Sequence, residues 1–231
     1  MFPLPEFEPV GWLARSVGLM RTVGSVLLGD RAAPASGVAL VRDAAVNGYA
    51  DRAVAALLEP MFETCAARGL RVGEVSLVTD LKGVAECLRV LQAHEVWSTH
   101  GRWIESAQPR FGPGVAERFA FARSVTADQA RAAESERAAI IARLDTALPP
   151  GVLLCLPTVP APAPRRDAAP EDLQSLRSRL MPLTALASLT SRPQITLPVP
   201  GAEAAPVGFS LLGWRNGDEA LLEAAQQLAP R

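Results

Sequence analysis

Val38-Ala39-Leu40-Val41-Arg42-Asp43, a brief apolar run stopped by charge, is followed by Val54, Leu57, Leu58, Met61, Phe62 and Cys65, and then by Leu70-Arg71-Val72-Gly73-Glu74-Val75-Ser76-Leu77. The outer segments have the length and composition of strands, and the middle one has the i, i+3, i+4, i+7 spacing that buries one side of a helix. Gly69 stands where a left-handed cap ends that helix, Pro60 is a candidate kink within it, and Gly73 is the expected site of a bulge. Strand, helix and strand in that order make parallel neighbours, because a crossover of this length returns the chain in the same direction. The fold class that follows is α/β.

The rest of the chain extends the pattern. Arg15 to Leu28 reads as a short helix closed by Gly29-Asp30, and Leu81 to Ile104 as a long one carrying Leu88, Leu91 and Trp97. Gly112-Pro113-Gly114 breaks the chain before a helix from Val115. Thr126-Ala127-Asp128-Gln129 has the capping-box form, so a helix runs from there to about Leu148, where Pro149-Pro150-Gly151 stops it. Val152 to Leu156 is continuously apolar, the form of a strand covered on both faces. The proline tract Pro157 to Pro164 then reads either as a stiff connector or as a rigid loop at the carboxyl end of that strand, where α/β sheets place ligands. A helix over Glu171–Leu189 and strands at Ile195–Pro198 and Val207–Leu212 follow, with Asp218 placed to cap a last helix.

Composition narrows the function. The formal net charge is −1 and the 23 basic residues are scattered, which argues against a nucleic-acid footprint. No run of apolar residues has membrane-spanning length, and no signal peptide is legible, so no membrane partner is expected. Cys65, Cys87 and Cys155 are odd in number and far apart, which excludes a disulfide framework and fits a reducing cytoplasm. The 231 residues are expected to form one domain, residues 1–231.

Each candidate for chemistry has a plainer explanation. His94-Glu95-Val96-Trp97-Ser98-Thr99-His100 lacks the i+4 histidine of a zinc helix, so no metal or other cofactor is expected. Gly208-Phe209-Ser210-Leu211-Leu212 lacks the second glycine of a nucleophile turn, which makes Ser210 an ordinary strand serine. Lys82, at the exposed entrance Thr79-Asp80-Leu81-Lys82-Gly83, is a solvated ammonium, and Cys155 is a buried structural thiol.

Several segments nevertheless resemble, in order and spacing, the amidase signature family. They are Pro3-Leu4-Pro5-Glu6-Phe7-Glu8-Pro9-Val10-Gly11-Trp12-Leu13-Ala14-Arg15, Glu95 to Ile104, Phe111 to Arg118, Pro157-Thr158-Val159-Pro160, Gln194 to Pro198, and Pro206 to Leu212 before Gly217-Asp218. The similarity is greatest to the branch that includes indole-acetamide hydrolases. It implies the C-terminal half of the amidase signature fold, a mixed sheet flanked by helices. It also implies amide-bond hydrolysis by a Ser-Ser-Lys triad whose members all precede the matched segments, so no catalytic residue is assigned here and the chain alone is expected to be inactive. The family lines its acyl pocket with the stretch corresponding to Leu180–Gln194, which makes Thr184 and Ser188 the candidate substrate-pocket residues. The partners implied are a small amide substrate and an N-terminal amidase half. The competing expectation is a non-catalytic binding protein that recruits a partner, or a second copy of itself, through the open edge of half a sheet.

Overall fold

The Val38–Leu77 unit folds as two parallel strands joined by helices. In the computed structural model, which describes residues 11–29, 37–77, 80–112, 114–201 and 205–229, β1 (Ala39–Asp43) leads through α2 (Ala44–Asn47) and α3 (Arg52–Ala67) to β2 (Val72–Val75), its parallel neighbour. The bulge expected at Gly73 is absent: Leu40, Val41 and Arg42 pair without interruption with Val72, Gly73 and Glu74. Gly69 takes the left-handed conformation, φ 79°, just past the C-cap Arg68. The short α2 has no apolar period to announce it. Asp43 makes it, accepting from the backbone N–H groups of Ala45 and Val46 and, through its other oxygen, from Leu77.

β3 (Val152–Pro157) lies parallel to β1 on its other side, and β4 (Gln194–Val199) and β5 (Val207–Leu212) complete the sheet. The order is β2-β1-β3-β5-β4, with β5 antiparallel to both neighbours, so the sheet is mixed. One face is covered by α4 (Leu81–Ala107), α6 (Ala127–Ala147) and α7 (Pro170–Thr190), packed on Leu154, Leu156 and Leu212. The opposite face, with Leu153, Cys155, Phe209 and Leu211, lies under α3 and α8 (Asp218–Leu228), and α1 (Val17–Leu28) packs on α8. Both faces of β3 are thus buried, as its unbroken apolar run requires. α5 (Val115–Ser124) folds back on α4.

Local signals set the helix ends. Thr126 Oγ1 accepts from the Gln129 N–H at 3.2 Å, and Gln129 Oε1 accepts from the Thr126 N–H at 2.8 Å, forming the reciprocal box read from sequence. Replacing Thr126 by alanine leaves a first-turn donor without its side-chain acceptor. The chain is expected to lose about 1 kcal/mol, read as a lower urea midpoint with unchanged slope. At α8 the structure corrects the expectation: Gly217 occupies the cap and Asp218 is the first helical residue, where its carboxylate faces the positive end of the helix.

Two buried arginines fasten the end of α7, and neither is legible in the sequence. Arg137 Nε donates to Leu189 O at 2.8 Å. Arg192 donates to Gly213 O at 2.9 Å and to Leu148 O at 3.4 Å, and pairs with Asp145 at 2.7 Å, its side chain only 1% exposed. Burial holds its guanidinium below the ordinary arginine value, against the opposing pull of Asp145.

Candidate functional site

The hydrogen-bond parity of the last hairpin decides what its edge offers. Gly213 donates to Pro193 O at 3.0 Å, and Thr158 donates to Gly208 O at 2.9 Å, so residues 208, 210 and 212 of β5 bond towards β3. Their cross-strand partners Pro198, Thr196 and Gln194 therefore point their backbone groups away from β5, along the outer edge of β4. Pro198 sits at one of these outward positions, so its missing N–H removes no ladder bond. The N–H groups of Gln194 and Thr196 remain turned outward.

A groove of about 610 Å³ runs along this edge. Thr184 and Ser188 of α7 form one bank, Leu221 and Leu222 of α8 the other, and Gln194 and Thr196 lie between them. The two candidate wall residues are thus brought together by their i, i+4 spacing on α7. Thr184 Oγ1 lies 3.4 Å from Leu180 O and 3.3 Å from Met181 O, each within donating range.

Next to it, and sharing Thr196, is a second hollow of about 460 Å³. Its walls are Val159, Pro162 and Pro164 of the proline tract, Leu176 and Leu180 of α7, and Val207 of β5. The proline tract, for which connector and ligand loop are both open readings, lines this hollow and is pinned by Asp51 N–H donating to Pro160 O at 2.8 Å.

Between the hollows four side chains meet. Ser210, fully buried, lies 2.6 Å from Thr158 Oγ1 and 2.9 Å from Thr196 Oγ1, and accepts from Gln194 Nε2 at 3.0 Å. A hydroxyl has one proton and two acceptor sites, so with the Gln194 bond accepted Ser210 donates to one threonine and accepts from the other. Gly208 makes the cluster possible: a Cβ there would lie 2.6 Å from Thr158 Cβ and 2.8 Å from Thr196 Cγ2. The alternation of Gln194 and Thr196 with Ile195 and Leu197 signals a polar strand face, but the convergence of Thr158 and Ser210 on it depends on strand order.

The other candidates stay apart. Lys82 is exposed on the first turn of α4, whereas Ser210 is buried in the sheet among hydroxyls and a carboxamide, and among the described residues no general base contacts it. His94 and His100 are exposed on α4, and among the described residues no group of three or more His, Cys, Asp or Glu side chains has metal-binding geometry. Glu8-Pro9, within the first matched segment, and Thr79 lie outside the described residues.

Desolvation pushes the Cys65 thiol up to about 11, the Cys87 thiol likewise to about 11, and the Cys155 thiol well above its ordinary value. All three are expected to resist alkylation at pH 8 in the native chain and to react once it is unfolded, followed by mass spectrometry. A pKa raised on folding contributes stability at pH values below the unfolded thiol value of 9.0, and that contribution falls as pH rises from there towards 11. The urea midpoint should therefore decline across that window.

No family model matches the chain. Amidase 1 of Arabidopsis thaliana is 34% identical over 152 residues, which is 66% of this chain and 36% of that protein. The chain therefore spans only part of the curated relatives it matches. A crystal structure of an amidase superposes with a TM-score of 0.79 at 25% identity, over 93% of this chain and 50% of the amidase. The allophanate hydrolase of Kluyveromyces lactis shares the fold, with a TM-score of 0.74 at 19% identity over 85% of this chain and 32% of that enzyme. Among the described residues no helix is long and apolar enough to cross a membrane. The mixed sheet with its helical layers, the ordered segments from Trp12 to Asp218 and the sequence identity agree: the chain belongs to the amidase signature family.

Proposed function

We propose that this chain supplies the non-nucleophilic part of an amide hydrolase and is inactive until a Ser-Ser-Lys segment, on the same polypeptide or a separate one, docks along β4. The observation that carries this reading is the groove on the outer edge of β4. There the turned-out N–H groups of Gln194 and Thr196 offer a strand its partners, and Thr184 and Ser188 stand beside them as a wall. Strand addition there would bring a nucleophile over Thr196, with Thr184 and Ser188 facing the acyl part of a small amide. Family membership supports the reaction class, and residues 1–231 act as one partial amidase domain, the C-terminal half, in this account. Three buried free thiols suit a reducing compartment, and we place the assembly in the cytoplasm.

Co-expression with the polypeptide encoded immediately upstream tests the proposal. Ammonia release from primary amides should appear in the co-purified pair and disappear when the nucleophilic serine of the added segment becomes alanine. A second reading, a non-catalytic protein that self-associates, is favoured by the same open edge. It predicts a dimer of this chain that Thr196→Pro dissociates, since proline removes an outward N–H.

A further inference from the structure

We infer that, while no catalytic segment is docked, the chain pairs with a second copy of itself over a two-part surface made of the outer edge of β4 and the exposed apolar face of α1. The inference rests on the reading of the β4 edge as a docking surface, and it adds the occupant, the register and a second contact on the helical layer beside the edge.

α1 carries more apolar surface than its packing uses. Val17, Met20 and Leu28 pack into the core with α8, and Gly24 lies against Leu222. Leu19, Val23, Val26 and Leu27 repeat the i, i+4, i+7, i+8 spacing on another side of the helix, with Val26 80% and Leu27 56% exposed. Arg21, the one charged residue of α1, projects about 180° away from the middle of this stripe. Among the described residues eight large apolar side chains are exposed, and four of them, Leu13, Leu19, Val26 and Leu27, fall in this one segment, so the patch is concentrated rather than scattered. Leu13 and Met20 also line the β4 groove, which makes stripe and edge one continuous surface.

That surface is self-complementary. β4 carries no charge from Gln194 to Val199, so a second copy meets no like charge across the edge. Its outward positions are 194, 196 and 198, and an antiparallel mate fits them best with Thr196 opposite the Thr196 of the second copy. Residues 194–198 then overlap: the two Thr196 N–H groups donate to each other's carbonyls, and each Gln194 N–H donates to the carbonyl of the opposing Pro198. Pro198, which has no N–H, needs only to accept. Sliding the mate by one step shortens the overlap to 194–196 in one direction and leaves the Gln194 N–H beyond the end of the opposing β4 in the other. Antiparallel mates are related by a two-fold axis normal to the sheet, so the α1 and α8 layers of both copies fall on the same face and the two α1 stripes meet beside the seam. A catalytic segment claims the same N–H groups, so the dimer and the catalytic assembly exclude each other.

Sedimentation velocity on the full chain across a concentration series tests this. The wild type is expected to pass from monomer to dimer with a micromolar Kd. Val26→Glu combined with Leu27→Glu, both at exposed positions, should weaken the dimer about tenfold or more, and Val96→Glu on α4 should leave it unchanged. Thr196→Cys places two thiols at the axis with Cα atoms about 5.5 Å apart, within disulfide reach, so mild oxidation should link the copies, whereas the Cα atoms of Pro198→Cys lie about 14 Å apart and its thiols should stay free. The native cysteines are buried and do not compete. A monomer at every concentration, open-ended assembly, or linkage through Pro198→Cys in place of Thr196→Cys would each overturn the inference. So would a dimer that Thr196→Pro dissociates and the α1 glutamates leave intact, and that result alone would leave self-association at the edge standing. The co-expression assay reads the catalytic proposal separately.

Discussion

Gly208→Ala should be among the most damaging single substitutions in the chain, lowering stability by about 3 kcal/mol. The position has an ordinary strand backbone, so the cost is one of space. The new methyl would be driven into the Thr158 side chain as far as its Cβ, and it would press on Thr196 Cγ2 at 2.8 Å. A Cβ atom has no rotamer to escape through. Relief requires β3 and β5 to separate, which strains the 2.9 Å bond from Thr158 N–H to Gly208 O, or it requires both threonines to leave Ser210. In the second case a fully buried hydroxyl loses its partners, at a further cost of about 1–3 kcal/mol. Urea denaturation gives the magnitude. Trimming Thr158 to alanine in the same chain should restore part of the loss, because it removes Oγ1, the atom the new methyl meets first, and leaves only the Thr158 Cβ to be displaced; strict additivity of the two substitutions would refute the steric account.

Arg192→Met is expected to cost about 3–5 kcal/mol for a different reason. The guanidinium reaches three acceptors on two chain segments: Asp145 and Leu148 O at the end of α6, and Gly213 O at the end of β5. Methionine fills much of the volume but donates nothing, so buried carbonyls are left bare. Lysine should recover little, because a single ammonium cannot span the fork of acceptors. Asp145→Asn should be milder. Asp145 is partly exposed and also holds Arg215 at 2.6 Å, so its loss leaves solvent able to reach part of the site. A wild-type melting temperature in Arg192→Met would contradict this ranking.

The contrast between these two sites marks what a sequence can carry. Elements whose signal is local are legible: the period of Val54 to Cys65, the box at Thr126 and the double-sided apolar run of β3 each specify their own structure. α2 is not, because it owes its existence to Asp43, whose carboxylate also reaches Leu77 from 34 positions away. The arginines 137 and 192 look in sequence like surface residues, and burial turns them into clamps because α6, α7 and β5 end near one another. Thr184 and Ser188 are marked by resemblance alone. The structure adds that they face the free edge of β4, and that Thr158, Gln194, Thr196 and Ser210, spread over more than fifty positions, converge beside them. Strand order brings them together, and no short-range pattern encodes strand order.

Strand docking reads the edge of β4. A proline at Thr196 should weaken docking of the catalytic segment without unfolding the chain, because that N–H points away from β5.

Whether the chain hydrolyses amides by itself is decided by ammonia release from a panel of primary amides by the highly purified chain, alone and then with the polypeptide encoded upstream. No release above the blank is expected from the chain alone, and release is expected from the pair. Hydrolysis by the chain alone, proportional to its concentration and abolished by Ser210→Ala or Lys82→Ala, would contradict it.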